Sequence, residues 1–338
     1  MRSDLTYDIR PYRREDEPRV LELLHDALGP GPVGERTPPF FRWKHEDSPF
    51  GPSAMLVAEV GDRIGGLRAF MRWRFHAGGR EIRAVTAVDT ATHPDFQGLG
   101  IFSKLTITAL GQLRGDVDLV FNTPNEKSLP GYLKMGWEVV GRVPVRVRVR
   151  RPVRLGRNVR SLRASTAPER PAPAVDAEPV STALEDDGLA SLLGGDGDRR
   201  LATPRDVPYL RWRYACPPGL TYHGVRVMRS GRLVGLGIFR VRPRGALWEA
   251  TVAEVITGTG DVTAARQVLR RIAGSAAVDH LTCHFPVGSA AARASRTTGY
   301  LPAPGGVTFV VNPLRDDLRP DPRSLDSWAL TLGDVEVF

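Results

Sequence analysis

The sequence predicts an α/β (α+β) chain of two related domains, each a mixed central sheet flanked by helices. Three observations carry this. First, 338 residues suit two domains at roughly 150 residues each, and 41% hydrophobic against 25% charged residues supplies real cores. Second, alternating β-branched runs interleave with stretches of helical period. Third, the chain repeats itself. Aligned without gaps at an offset of 169, Pro39, Arg42, Trp43, Pro49, Arg63, Gly66, Leu67 and Phe70 recur as Pro208, Arg211, Trp212, Pro218, Arg232, Gly235, Leu236 and Phe239. Eight identities in 32 positions, a tryptophan among them, indicate two copies of one fold rather than a solenoid.

The elements follow in order. Tyr7-Asp-Ile-Arg-Pro11 reads as a short strand ended by proline. Asp16 reads as the cap of a helix over 17–28, where Val20, Leu21, Leu23, Leu24 and Leu28 recur at helical spacing. Gly29-Pro-Gly-Pro-Val-Gly34 breaks the chain, and 29–53 reads as loop. Residues 54–60 and 67–74 are expected as strands joined through Gly61-Asp-Arg-Ile-Gly65-Gly66, and 84–92 as a further strand. A glycine turn then opens an amphipathic helix over about 100–114, followed by a strand at 118–122 and a short helix at 126–135. Strands at 138–140 and 143–149 would close the first domain, residues 1–150. Residues 151–180, rich in proline, arginine and alanine, read as a linker. The second domain, 181–315, is expected to hold strand 246–256, helix 262–273, strand 280–285, helix 289–297 and strand 306–311, with 316–338 as a tail.

The formal charge is +9, from 47 Lys+Arg against 38 Asp+Glu. Residues 141–170 hold ten arginines (142, 146, 148, 150, 151, 154, 157, 160, 163 and 170) and one acid, Glu169, so the rest of the chain carries 37 charges of each sign. The excess is one segment rather than a diffuse basic field, which argues against a nucleic-acid partner. Val143-Pro-Val-Arg-Val-Arg-Val-Arg150 alternates as a strand should, valines inward and arginines out. Cys216 and Cys283 make no disulfide framework and no metal spacing. With no apolar leader and no membrane-spanning run, the expectation is a cytoplasmic protein without a membrane partner.

The segment Val88-Asp-Thr-Ala-Thr-His-Pro-Asp-Phe-Gln97-Gly98-Leu99-Gly100-Ile101-Phe102-Ser103-Lys104-Leu105 runs from strand through a glycine loop into a helix. Outward N–H groups and the positive end of the helix suit a pyrophosphate, which the glycines let the backbone approach. The loop is neither the dinucleotide G-x-G-x-x-G nor a Walker P-loop. Read by itself, it is better explained by an ordinary glycine-rich strand-to-helix turn.

These residues resemble the GNAT superfamily of N-acetyltransferases. Gln97-Gly98-Leu99-Gly100-Ile101-Phe102 is similar to that family's Gln/Arg-x-x-Gly-x-Gly/Ala loop, which cradles the pyrophosphate of acetyl-CoA; Phe102 departs where a small residue is usual. Asn125-x-x-Ser128-x-x-Gly131-Tyr132-x-x-x-Gly136-Trp137 resembles the family's Asn-x-x-Ala-x-x-Leu-Tyr-x-x-x-Gly-Phe. Tyr7–Pro11, Asp16 and the leucine-rich helix are similar to its opening strand and helix, so the likeness covers about 6–150.

The resemblance implies acetyl-CoA, or another acyl-CoA, as co-substrate, with no metal. Gln97, Gly98, Leu99, Gly100, Ile101, Phe102 and Ser103 would meet the pyrophosphate. The backbone of Ala91, Thr92 and His93 would run beside the pantetheine, in a splay between strands 84–92 and 118–122, with Asn125 and Ser128 completing the coenzyme site. Tyr132 would be the general acid that protonates the departing thiolate. The base stays open among Asp89, His93, Glu59 and water. In the second copy Asp261 falls at the pyrophosphate loop, where a carboxylate repels phosphate, and Gly288 and Ser295 stand for Asn125 and Tyr132. That copy reads as degenerate, and the tandem arrangement resembles acetyltransferases of the enhanced-intracellular-survival type.

The expected activity is transfer of an acetyl group to a primary amine of a small molecule or peptide by direct attack on the thioester. One alternative is a longer donor, an acyl-CoA or an acyl carrier protein docking on Arg146, Arg148 and Arg150, as in natural-product biosynthesis. Another, of a different class, is a non-catalytic binder of acyl-CoA or nucleic acid. The repeated Phe41-Arg-Trp43-Lys-His and Leu210-Arg-Trp212-Arg-Tyr segments read as packing elements before the hairpins rather than as base-stacking surfaces.

Overall fold

A computed structural model describes residues 6–30, 36–163, 167–168, 170–193 and 198–335. The glycine–proline break, the linker and the tail expected from the sequence lie partly outside these residues. Among them, fourteen strands form two seven-stranded sheets. The first holds β1 (Asp8–Pro11), β2 (Ala54–Val60), β3 (Arg63–Ala77), β4 (Arg80–Thr92), β5 (Leu119–Asn122) and β6 (Glu138–Val143). The second holds β7 (Arg146–Val149), β8 (Glu178–Pro179), β9 (His223–Arg229), β10 (Arg232–Arg244), β11 (Leu247–Thr257), β12 (His280–Cys283) and β13 (Leu301–Pro302). The last strand, β14 (Val307–Pro313), returns to the first sheet.

The orders are β1-β2-β3-β4-β5-β14-β6 and β13-β7-β12-β11-β10-β9-β8. Each half thus lends the other one strand. The sequence reading placed 143–149 as the closing strand of the first sheet and 306–311 in the second, and the structure reverses both. β7 pairs antiparallel with β12 and β13, whereas β14 pairs antiparallel with β5 and β6. A valine–arginine alternation specifies a strand but not its neighbours. The chain leaves the first sheet at Pro144, which has no N–H to continue the ladder.

Helix α1 (Glu17–Leu28) lies where its apolar period put it. Asp16 does not cap it: its carboxylate accepts from the Arg13 N–H and bridges Arg10 and Arg19. Helix α2 (Pro38–His45) stands inside the stretch read as loop. The Thr37 side chain accepts from the Phe40 N–H, and prolines fill its first turn. The first hairpin turns on Gly61-Asp62 alone, and Gly65 and Gly66 belong to β3. There a Cβ on Gly66 would lie 2.5 Å from Ile101 of helix α3 (Ile101–Leu113), so the glycine permits close helix–sheet packing.

Helices α3 and α4 (Leu129–Lys134) cover one face of the first sheet, around Phe70, Val85, Leu105, Val120 and Tyr132. The inner faces of both sheets meet in one core that includes Trp73, Phe121, Phe309, Ile238 and Trp328. At its centre Trp43 stacks on Trp212, ring centroids 5.3 Å apart. Each indole N–H donates to the other's backbone carbonyl, at 2.8 and 2.9 Å. The repeated tryptophans are therefore the pivot of an internal two-fold relation, and packing is their role.

Candidate active site

β4 and β5 pair in parallel over only three residues, Ala84 to Thr86, and then part. Two residues of β4, Asp89 and Thr90, oppose the single Arg68 of β3, and Asp89 takes φ 43°. This β-bulge bends the strand where the sheet opens. Beyond it lies a cleft of about 850 Å³, lined by Ala87 to Thr92 on β4 and by Asn122 to Asn125 at the end of β5 and just after it.

The cleft gathers most of the residues singled out from the sequence. Ala91, Thr92, Gln97, Gly98, Gly100, Ile101, Phe102, Asn125, Ser128, Tyr132 and Asp89 all line it. Gly98 and Gly100 have φ of 85° and 76°, with open space where a side chain would stand, so conformation rather than crowding demands glycine. Gly100 ends the loop, and α3 begins with no side-chain cap, which leaves its first N–H groups facing the cleft end. The Asn125 amide oxygen accepts from the Lys127 and Ser128 N–H groups at 3.0 and 2.9 Å, shaping the turn that starts α4.

Three expected residues lie elsewhere. Leu99 packs half-buried beneath the loop, and Ser103 is exposed on the outside of α3. His93 points away from the cleft. Its N–H donates to the Gly65 carbonyl at 2.9 Å, and its ring meets Arg63 at 2.9 Å in a separate small cavity. Glu59, weighed as a base, is bound to Arg10 at 2.9 Å and is not part of the cleft wall.

Asp89 is corrected in role. Its carboxylate meets Lys44 Nζ at 2.7 Å, His45 Nε2 at 3.0 Å and Arg36 at 3.1 Å. Burial alone would raise its pKa, but the Lys44 ammonium and the His45 imidazole hold it well below the usual carboxylate range. It is a fixed anion, not a base for neutral pH. Because a carboxylate only accepts, Nε2 of His45 carries the proton and Nδ1 accepts from Ser53 Oγ at 2.9 Å. Burial pushes the His45 imidazole below its ordinary value.

Tyr132, 5% exposed, presents its ring between Phe102 and Trp137. Its hydroxyl oxygen accepts from Arg68 NH1 at 3.0 Å, and the same nitrogen donates to Thr90 Oγ1 at 2.9 Å. The bulky Phe102 is matched by Gly131, where a Cβ would come within 3.1 Å of the Phe102 ring. The two departures from the family motifs therefore compensate each other: a large residue in the loop, a small one on α4. Sequence reasoning missed Arg68, although a lone charge in the apolar run Ile64–Met71 was its signal. It also missed Arg36, Lys44 and His45.

The second half carries a related cleft of about 610 Å³ beyond the end of the β11–β12 pairing. At the repeat's offset of 169, Arg36, Lys44 and His45 become Arg205, Arg213 and Tyr214. Arg205 and Tyr214 bind Glu254, which sits at a bulge of β11 as Asp89 does on β4. The chain's end covers this acid: Thr331 donates to Glu254, Asp334 pairs with Arg205 at 2.7 Å, and Arg213 donates to the Gly333 carbonyl. The helix Val262–Ser275 is capped by Asp261, whose carboxylate accepts from the Ala264 N–H at 2.8 Å. One of the amides that a phosphate would need is thus already met, by a carboxylate that repels phosphate.

Among the described residues, no group of three His, Cys, Asp or Glu side chains could hold a metal, and no helix is long and apolar enough to cross a membrane.

Residues 8–140 match the family model of an acetyltransferase (GNAT) domain. A search of curated protein sequences returns no match to the chain. Among solved structures, an Enterococcus faecalis V583 protein described as a probable N-acyltransferase aligns over 91% of this chain and 73% of its own, with TM-score 0.61 and 14% identity. Saccharomyces cerevisiae N-myristoyltransferase with bound myristoyl-CoA aligns over 92% and 86%, with TM-score 0.57 and 10% identity. Eis1 from Mycobacterium abscessus aligns over 91% and 74%, with TM-score 0.54 and 16% identity. At these identities the likeness is one of fold, and it extends over both halves of the chain.

Proposed function

On the premise that residues 8–140 belong to the GNAT acetyltransferase family and that the chain is an acyltransferase, we propose that the first cleft takes an acyl-CoA and passes its acyl group to a primary amine of a small molecule or peptide. Acetyl-CoA is the donor to test first. The observation that carries this reading is the convergence, on one cleft, of uncapped α3 amides, a bulged strand end that has parted from β5, and the Tyr132 hydroxyl.

In this reading the diphosphate rests on the backbone of Gly98 to Phe102, where the N–H groups of α3 supply donors and partial positive charge. The thioester lies along Ala87 to Thr92. The amine nitrogen attacks the carbonyl carbon, a C–N bond forms and the C–S bond breaks. Tyr132 gives its phenolic proton to the departing sulfur and regains one from solvent, while the surplus amine proton leaves to water. Most of the acceleration comes from orientation and from charge stabilisation in a dry cleft. The Saccharomyces neighbour, which holds myristoyl-CoA on this fold, supports an acyl-CoA donor. Carrier docking on the arginine segment finds no such support: Arg146 and Arg148 stand on β7 inside the second sheet, and neither lines the cleft.

Mass spectrometry of the purified protein with acetyl-CoA, longer acyl-CoAs and a panel of amines tests the reading. The expected result is a mass gain on at least one amine, with free CoA released in equal amount. Tyr132→Phe is expected to keep acetyl-CoA affinity and lose about 10²–10⁴-fold in kcat. Unchanged turnover in that variant removes Tyr132 from the reaction.

A further inference from the structure

Arg68 is fully buried on β3, directly opposite the bulge at the mouth of the cleft. Among the described residues no carboxylate pairs with it. Its NH1 serves Tyr132 and Thr90, while Nε and NH2 are buried without a hydrogen-bond partner. Around it stand aromatic rings: Phe70 at 4.1 Å, Tyr132 at 5.3 Å and Phe102 at 5.8 Å from the guanidinium carbon. A buried cation without a counter-charge is costly, and burial duly lowers its pKa. A fold that needed only packing here would place a leucine.

Guanidinium chemistry gives the arrangement a direction. Arginine has five N–H donors and no acceptor. The Tyr132 oxygen therefore receives a hydrogen bond from Arg68, and its own proton must point elsewhere. Tyr132 lines the cleft, so the cleft is where that proton goes. When Tyr132 releases it, the negative charge develops 3.0 Å from a cation that meets no other anion among the described residues.

The second half supplies an internal comparison. At the repeat offset Arg68 becomes Gly237, and Ser295 stands in the place of Tyr132. That placement is structural: Trp137 N–H donates to the Tyr132 carbonyl, as Tyr300 N–H donates to that of Ser295. A Cβ at Gly237 would lie 2.4 Å from Val268, so an apolar helix fills the space the guanidinium occupies in the first half. The acid at the bulge and its cationic partner survive in both halves, as Asp89 with Arg36 and Glu254 with Arg205. The arginine and the tyrosine are absent together. Fold maintenance accounts for what both halves keep, not for what only one has.

We propose that Arg68 is a positioning residue for the acyl transfer: it fixes the Tyr132 hydroxyl as a donor into the cleft and stabilises the phenolate left when the proton moves to sulfur. This rests on the reading of Tyr132 as the acid. The test is a four-way comparison of wild type, Arg68→Met, Tyr132→Phe and the double variant. Each is assayed with acetyl-CoA and an amine that the wild type acetylates, with acetyl-CoA affinity measured separately by calorimetry. Arg68→Met is expected to lose about 10²-fold in kcat, the lower end for a general acid, with acetyl-CoA affinity within threefold of wild type. The double variant is expected to be no slower than Tyr132→Phe, because both substitutions remove one function. Arg68→Lys, which keeps a charged donor, is expected to recover part of the loss, and it carries the comparison if the methionine variant does not fold.

Wild-type kcat in the Arg68 variants, losses that multiply in the double variant, or a loss confined to acetyl-CoA affinity would each overturn the proposal while leaving Tyr132 in its role. A Tyr132→Phe enzyme with full turnover overturns the earlier reading instead.

Discussion

Asp89 shows how far a single residue's role depends on partners distant in sequence. Its position beside the cleft was legible from the strand that carries it, but its partners, the Arg36 and Lys44 cations and the His45 imidazole, come from residues 36–45. They turn a candidate base into a fixed anion. Asp89→Asn keeps a residue tolerant of positive φ and removes only the charge. It strands the buried Lys44 ammonium, so a loss of about 3–5 kcal/mol is expected in urea unfolding. A loss under about 1 kcal/mol would mean that Lys44 finds another partner or water. Tyr132 and Asn125 were legible because their spacing follows the turn and helix that hold them. Arg68 was not, because its meaning lies in a contact across 64 residues.

At the scale of elements, the loop and helix facing the cleft are fitted to each other through Phe102 and Gly131. Gly131→Leu is expected to cost about 1–3 kcal/mol, since the new side chain meets the Phe102 ring. Adding Phe102→Ala is expected to recover more than half of that in thermal unfolding, and strict additivity would refute the fit. Acid sensitivity belongs to the start of α1. Hydrogen bonding to Arg10 holds the Asp16 carboxyl at about 2, below its ordinary value near 4. A depressed carboxyl contributes stability that is full above the ordinary value and drains as pH falls through the depressed one. Stability should therefore fall between about pH 4 and pH 2, and Asp16→Asn should flatten that part of the curve. Most helices and strands were legible from period and caps, whereas α2 was hidden by its brevity and by prolines that read as loop.

For the whole molecule, the exchange of β7 and β14 makes each sheet incomplete without the other half of the chain. A fragment of residues 1–150 lacks β14, which leaves β5 and β6 without their shared neighbour. It is expected to show no cooperative unfolding transition, and fusing residues 304–315 through a flexible linker is expected to restore one. A fragment that unfolds cooperatively unaided would show that the exchange is dispensable. The sequence by itself determined the two-copy architecture, the glycine loop, the tyrosine motif and the absence of that motif's residues from the second copy. Each is written in local periodicity, in turn chemistry or in a repeat that one chain can reveal. Only the tertiary structure decided which sheet receives each closing strand, which charges surround Asp89 and what stands behind Tyr132. Strand pairing and buried ion contacts are set by packing between segments far apart in the chain, and an alternating run or a lone arginine carries no address for its partner.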